Sequence, residues 1–397
     1  MRLASNLVQQ KFNMDWVLLG ILGCLFSVSL LSIYMATPLL SAGISGLVNR
    51  QIVWYVTGAM LVGVLLNFGI NNLYGMLPYI YWFLMFMLSL LIIDRFTNMV
   101  PFVREINNAR AWFVFPGIGN FQPSEFMKIV LILRSAEIIS THNQTKLSNS
   151  YAEDFSLFMK IFKVAIPPLI LIILQPDTGI PLIIIFSLVA MVFVSGIKKA
   201  WIYVSVLGFA AIFIGFLFIF FTNQQLLVKL FGDSLRISRF YGWLEPEKYV
   251  RSWGNQLYQG LLALGSAGLT GHPLKEVVVS FAEPQNDFIF AVIGQNFGFI
   301  GTTLVVTLSG ILDLKFLSIA YNSDNQRDKL MVAGVLGMIV FQQVENMGMI
   351  TGLLPITGIT LPFISYGGSS LWSYMIPLAV IFKMSSDNIQ KNGAFFK

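Results

Sequence analysis

Long uncharged runs constrain this chain more than any other feature. A hydrocarbon core about 30 Å thick is crossed by about 20 helical residues. Apolar runs of that order lie near residues 16–37, 51–70, 76–93, 123–140, 161–176, 178–197, 200–222, 288–312, 330–351 and 367–385. Backbone N–H and C=O groups find no partner in lipid, so such runs must close their hydrogen bonds within helices. The expectation is an all-α integral membrane protein of about ten transmembrane helices, a single polytopic domain over residues 1–397. A large extracellular loop, about 222–287, separates spans seven and eight. Only 11% of the residues are charged, against roughly 25% in soluble domains. The fifth and sixth runs are parted only by Gln175–Gly179, and Pro167-Pro168 interrupts the fifth. That pair is expected to form a hairpin with a tight turn. Residues 1–15 are weakly basic with no convincing cleavage site after them, so the first run is expected to stay.

Several function classes drop out. Cys24 is the single cysteine, and His142 and His272 stand far apart. No internal disulfide is possible and a zinc site has no Cys/His cluster to build on. There is no Walker A pattern, no G-x-G-x-x-G after a strand and no H-E-x-x-H. The net charge of +6 needs no nucleic-acid partner, because loop topology and anionic lipid headgroups account for it. With the N-terminus inside, Arg2, Lys11, Arg134, Lys146, Lys160, Lys163, Lys198, Lys199, Lys315, Arg327, Lys329, Lys383, Lys391 and Lys397 lie on the inner side. The short outer loops hold only Arg50, Arg95, Arg104 and Arg110. The positive-inside rule then puts both termini in the cytoplasm and the large loop outside.

Polar residues gather on that outer side. Asp287 stands where the long loop runs back into span eight, and two readings are open: a catalytic carboxylate, or a cap shared with Asn286 for the helix that follows. Between spans three and four, Ser124 is placed to cap a helix. Glu125 and Lys128, three apart, share a face of span four. Either they neutralise each other in lipid or they mark a substrate path. Trp112 reads as an interfacial anchor on residue type alone. In the long loop, Arg236 and Arg239 are spaced to grip a phosphate or carboxylate. Gln256 and a Gly-rich stretch, Gly265 to Gly271, follow. After span nine, Gly352–Ser370 is too rich in Pro and Gly for a plain span. Non-helical backbone at that depth must be buried in protein or line a cavity.

Five of these segments carry a family resemblance. FQPSEFMK at 121–128, QPDTG at 175–179, RISRFYGWLEP at 236–246, DFIF at 287–290 and LPFISYGGSS at 361–370 occur in order along the chain. Together they resemble the SEDS proteins of shape, elongation, division and sporulation. The resemblance implies a ten-span bacterial peptidoglycan glycosyltransferase that polymerises lipid II at the outer face of the cytoplasmic membrane. It also implies a class B penicillin-binding protein as the crosslinking partner. The family's catalytic Asp falls on Asp287. Its Trp falls on Trp112, and the Glu and Lys of its P-S-E-F-x-K motif fall on Glu125 and Lys128. Asn108 replaces a usual Gly. Gln285-Asn286 stands where His-Thr or Glu-Ser is common, and Gln295-Asn296 stands where an acidic pair or Glu-Asn is. Loss of an acid near Asp287 should lower its pKa. The Gln295–Gly301 stretch is more like RodA of Gram-positive bacteria than like FtsW, which favours a role in elongation and shape over division.

In such a reaction Asp287 would take the proton of the GlcNAc 4-hydroxyl as it attacks MurNAc C1. The leaving diphosphate needs positive charge, for which Arg110, Lys128, Arg236 and Arg239 are candidates, as is a divalent cation, Mg or Mn. No other cofactor is implied. Trp112, Glu125, Gln256, Ser365, Tyr366, Gly367, Gly368 and Ser369 are the expected substrate-binding set. A lipid II flippase and a scaffold that only recruits its partner are the competing readings.

Overall fold

Each apolar run becomes a helix. A computed structural model describes residues 12–40, 46–105, 109–115, 119–146, 148–223, 226 and 235–395, with 235–237 and 392–395 described by backbone alone. The helices are α1 (Trp16–Ala36), α2 (Leu47–Phe68), α3 (Ile70–Thr97), α4 (Pro123–Thr145), α5 (Tyr151–Leu174), α6 (Gly179–Val194), α7 (Lys199–Thr222), α8 (Leu235–Leu244), α9 (Asn255–Ser266), α10 (Ile289–Asn322), α11 (Gln326–Ile350) and α12 (Gly368–Phe395). A two-stranded antiparallel hairpin, β1 (Phe113–Phe115) and β2 (Gly119–Phe121), precedes α4, with Phe113 opposite Phe121. The protein is therefore predominantly helical and crosses the membrane several times.

Among the described residues, seven helices, α1, α2, α3, α5, α7, α10 and α11, are long and apolar enough to cross a membrane. The other three expected spans are also helical. At 16 residues, α6 is apolar but short. Helix α4 carries Glu125, Lys128, Arg134 and Glu137, and its place in the bundle explains how. It packs against α3, α5, α6, α11 and α12, so its charges face protein rather than lipid.

Local chemistry sets several helix ends. Asp15 accepts the Leu18 N–H, Ser150 the Glu153 N–H and Asn325 the Arg327 N–H, each satisfying a donor the first turn leaves open. Two expected caps are corrected. Pro123 already occupies the first helical position of α4, so Gln122 is its cap residue and Ser124 lies inside the first turn, buried. At α10 the cap residue is Phe288, so neither Asn286 nor Asp287 is spent there. The fifth run is likewise uninterrupted, because α5 continues through Pro167-Pro168. Proline at 168 cannot donate to the carbonyl of Val164. The Tyr81 hydroxyl of α3 does so instead, at 3.0 Å.

Helix α10 is broken at Gly298, with φ 59° and ψ −153°. Three of the groups freed by the break are taken up by the 268–272 segment. Phe299 N–H donates to Gly268 O at 3.0 Å, Ile300 N–H to Leu269 O at 3.1 Å, and Gln295 O accepts from His272 N–H at 2.9 Å. A Cβ on Gly298 would lie 2.5 Å from the Leu269 carbonyl carbon, so this crossing requires glycine at a positive φ as well as close approach.

The long loop is partly structured. Helix α9 buries Leu257, Gly260 and Ala263, and Gly260 lets it close on the Phe288 ring, 3.4 Å from where a Cβ would stand. Helix α8 hangs on α7 through a small cluster centred on Phe220 and Tyr241. Most of α7 is otherwise exposed.

Candidate functional site

One end of the bundle opens into a cavity of about 1090 Å³. Its walls come from segments far apart in sequence: the start of α2, the β-hairpin, the 176–180 turn, α8 with the α8–α9 region, the 282–287 segment and the 356–370 segment. In an alternating bundle these connections all fall at the same end. Folding thus gathers the polar residues that the sequence scatters over more than 300 positions.

Two of these walls are stitched to each other. Tyr366 N–H donates to Gln285 O at 2.9 Å. The Ser365 hydroxyl donates to Asn286 O at 2.7 Å and accepts the Leu361 N–H at 2.8 Å. Asn346, fully buried on α11, donates from its amide nitrogen to both Asp287 O and Ile359 O, each at 2.8 Å. Irregular backbone in an apolar surround needs this accounting, and it leaves the Asp287 main chain with little freedom. Gly358 adjoins the Asp287 carboxylate, which would be 3.6 Å from a Cβ there.

The Asp287 side chain is less satisfied than its main chain. It lines the cavity, half-buried, and its Oδ1 is buried without a hydrogen-bond partner among the described residues. Burial pushes its pKa up to about 7, the nearby Glu283 charge adds to this, and the Arg239 charge opposes it. Glu283 itself accepts from Gln285 Nε2 at 3.0 Å and Asn286 Nδ2 at 2.7 Å. The two residues that depart from the usual sequence before Asp287 therefore hold a carboxylate beside it. Gln295, the other departure, points elsewhere. Its amide accepts from Val279 N–H at 3.1 Å and donates to Glu276 O at 3.4 Å. Its identity does not decide the pKa of Asp287, which burial raises.

The facing wall is a second network. Trp112 Nε1–H donates to Gln122 Oε1 at 3.0 Å, and Gln122 Nε2–H donates to Asp177 Oδ2 at 3.1 Å. The Ser369 hydroxyl accepts the Gln122 N–H at 3.1 Å and donates to Asn120 O at 2.7 Å. Trp112 is therefore a cavity residue held in place rather than an interfacial anchor. Asp177 Oδ1 also accepts the N–H groups of Gly179 and Ile180 at the start of α6. Burial raises the Asp177 pKa to about 6 against those N–H groups, with the Glu125 charge adding to the rise. Glu125 lines the cavity and pairs with Lys128 at 2.5 Å. Lys128 is completely buried behind it, its ammonium 4.7 Å from the Tyr374 ring centre.

Of the other expected residues, Arg239, Gln256, Tyr366, Gly367 and Gly368 line the cavity. Ser365 braces it from behind. Arg110 does not reach it. Its guanidinium binds Asp94 and Glu105, each at 3.3 Å, and serves the hairpin's base. Asn107, Asn108 and the Arg236 side chain lie outside the described residues. Among the described residues no three His, Cys, Asp or Glu side chains converge on a metal position. Glu283 and Asp287 are the neighbouring carboxylates that would hold a Mg or Mn ion, which characteristically takes one or two carboxylates plus substrate phosphates.

Sequence reasoning missed Arg50, Trp54, Asn346 and Asp177 as site residues. Arg50 and Trp54 are four apart, one helical turn, and that spacing puts them on one face of α2. The available signal for Asn346 is its place in a polar cluster, Gln342, Gln343, Glu345 and Asn346, within an otherwise apolar run.

A family model described as cell cycle protein, FtsW/RodA/SpoVE, matches residues 9–390. Stage V sporulation protein E of Bacillus subtilis is 32% identical over 296 residues, 72% of this chain and 74% of that protein. The probable peptidoglycan glycosyltransferase FtsW of Lactococcus lactis is 30% identical over 313 residues, 76% of this chain and 74% of that one. Among solved structures, a chain of a peptidoglycan synthase complex that coordinates polymerization and crosslinking superposes with a TM-score of 0.69 at 26% identity, covering 95% of this chain and 99% of that one. The rod shape determining protein RodA of Thermus thermophilus gives 0.63 at 26% identity, covering 94% and 98%.

Proposed function

The chain belongs to the FtsW/RodA/SpoVE family, and we propose that it is a peptidoglycan glycosyltransferase whose general base is Asp287. One observation carries the assignment of the base. The Asp287 carboxylate lines the large cavity, with its buried Oδ1 unpartnered among the described residues, on a main chain clamped by Asn346 and Ser365. A base is most useful when its pKa lies near the working pH, and burial brings Asp287 to about 7.

The reaction joins two lipid II molecules, or lipid II and a growing strand, at the outer face of the cytoplasmic membrane. The acceptor's 4-hydroxyl gives its proton to Asp287 while its oxygen bonds to C1 of the donor. The C1–oxygen bond to the diphosphate breaks, and the electron pair leaves with undecaprenyl diphosphate. Attack from the far face converts the α-linked donor into a β(1→4) link. Arg239, whose charge Asp287 feels, is placed to stabilise the leaving group; such preorganised charge is commonly a large catalytic contribution. Trp112, Gln122, Asp177, Gln256 and Tyr366 offer the aromatic faces and hydrogen-bonding groups that sugars need.

The orientation follows from charge. The cavity end faces outward and both termini lie in the cytoplasm, the end that holds most Lys and Arg. A class B penicillin-binding protein is the proposed partner, supported by the likeness to a synthase complex that couples polymerization to crosslinking. Since one relative is named for sporulation, the matching family model for the cell cycle and a similar structure for rod shape, complementation decides the branch: restored rod shape supports elongation, restored septation division.

The test of the reading is glycan polymer formation from lipid II by the purified protein with its penicillin-binding partner. Wild type should polymerise and a folded Asp287→Ala protein should not. Polymerisation by folded Asp287→Asn would remove the base assignment.

A further inference from the structure

Transfer between two lipid-linked sugars brings two diphosphates into one cavity, and only one of them departs. On the glycosyl-transfer reading above, we infer that Arg50 seats the diphosphate of the acceptor, the one that is not cleaved, while Arg239 attends the donor's.

Charge accounting leads there. Among the described residues four carboxylates line the cavity: Glu125, Asp177, Glu283 and Asp287. Only two cations among the described residues do, Arg50 and Arg239. Two other candidates are spent, Arg110 on Asp94 and Glu105 outside the cavity and Lys128 on Glu125 behind its wall, and the Arg236 side chain lies outside the described residues. Among the described residues neither Arg50 nor Arg239 pairs with a carboxylate, although acids line the same cavity. Arg50 is exposed to it, and its side chain contacts the neutral hydroxyl of Tyr366. A guanidinium carries five N–H donors, and one phenol leaves most of them free. Planar, forked donors of this kind match phosphate oxygens two at a time.

The two arginines stand on different helices, Arg239 on α8 and Arg50 on α2. Arg239 acts on Asp287 and donates to Thr357 O at 3.4 Å, on the wall that holds the base. Arg50 stands one turn before Trp54, whose ring lies 4.8 Å from that of Tyr366. Trp54 is sealed against the backbone by Gly368, where a Cβ would fall 2.7 Å from the indole. This corner of the cavity is built by α2 and the start of α12.

Connectivity of the substrates then assigns the two seats. The donor's diphosphate is attached to C1, the atom under attack, so it must lie by the base and Arg239. The acceptor reacts through the hydroxyl at one end of its disaccharide and carries its diphosphate at the other. Its anion needs a second seat in the same cavity, apart from Asp287, and Arg50 supplies it. No bond at that seat forms or breaks, so Arg50 is a binding residue and contributes to acceptor affinity.

Native mass spectrometry of the detergent-solubilised complex, titrated with undecaprenyl diphosphate as the probe, counts the seats. Wild type should bind two diphosphates, Arg50→Gln one and Arg239→Gln one. In steady-state polymerisation Arg50→Gln should raise KM for lipid II about tenfold, the scale of one lost charge-assisted contact, with kcat changed far less. Arg50→Lys should recover part of the loss. Since Arg50 is exposed, its variants should melt as wild type does. Two diphosphates retained by Arg50→Gln, or a single one on wild type, would overturn the assignment. Asp287→Ala separates this from the underlying reading: it should keep both diphosphates and make no polymer. Polymer from that variant would sink the glycosyl-transfer base without altering the count at Arg50.

Discussion

The side-chain amide of Asn346 holds the main chain of Asp287 to that of Ile359, donating 2.8 Å hydrogen bonds to both carbonyls from one nitrogen. A residue on α11 thereby joins two irregular segments, one carrying the carboxylate and the other lining the cavity beside it. Replacing Asn346 with Leu strands two buried carbonyls, each costing about 1–3 kcal/mol when left unsatisfied. Asn346→Leu should lower the melting temperature and reduce kcat by an order of magnitude or more. A variant that melts early yet turns over normally would show that this tie serves stability alone.

The carboxylate itself titrates in a useful range. Folding raises its pKa from the ordinary aspartate value of 3.8 to about 7. A group raised by folding contributes stability below its unfolded pKa, and loses that contribution as pH rises through the folded one. At pH 8 the wild type carries a largely ionised, partly buried Asp287. Asp287→Asn should therefore be more heat-stable than wild type at pH 8, with the gain shrinking as pH falls from 7 toward 4. Thermal melts of both proteins across that window check it. Activity runs the other way, since the base must be ionised: wild-type kcat/KM should fall as pH drops below about 7.

Glu283 offers a cleaner handle on that titration. Its negative charge helps raise the pKa of Asp287, while its contacts with Gln285 and Asn286 fix its position. Glu283→Gln removes the charge at nearly constant size. The acid limb of the kcat/KM profile should move to lower pH. An unmoved limb, even with reduced activity, would leave Glu283 only a structural role.

The Glu125–Lys128 pair tests buried charge. Lys128 has no exposed side-chain surface and Glu125 retains 9%. Removing one partner of a buried pair typically costs about 3–5 kcal/mol, whereas replacing both can be close to neutral. Lys128→Met should destabilise markedly, and Glu125→Gln with Lys128→Met together should recover much of the loss. Equal stability of the single and double variants would mean that Glu125 finds another partner or protonates.

Much of this architecture can be read from residue pattern, because membrane depth leaves few choices. Helices α1, α2 and α7 begin and end close to the limits of their apolar runs. The failures have local physical causes. Pro167-Pro168 looks like an interruption until Tyr81, 83 positions or more away in sequence, supplies the missing donor. Arg110 looks like a substrate cation because its partners Asp94 and Glu105 are not readable as neighbours from the chain. Arg50 looks like a topological charge because its sequence surroundings say nothing of Tyr366. The identity of Asp287 as a site residue was legible in its motif. Its raised pKa was not, since burial is a property of the packed walls and not of the residues beside it in sequence.

The break at Gly298 has a mechanical consequence. The amides and the carbonyl that α10 gives up there are returned by the 268–272 strand of loop, and Gln295 and Asn296 bind residues 275, 276 and 279 just beyond it. Helix and loop are thus geared together: displacing one without the other would unmake several backbone hydrogen bonds at once. Asp287 sits at the near end of that gear train, two residues before the helix starts.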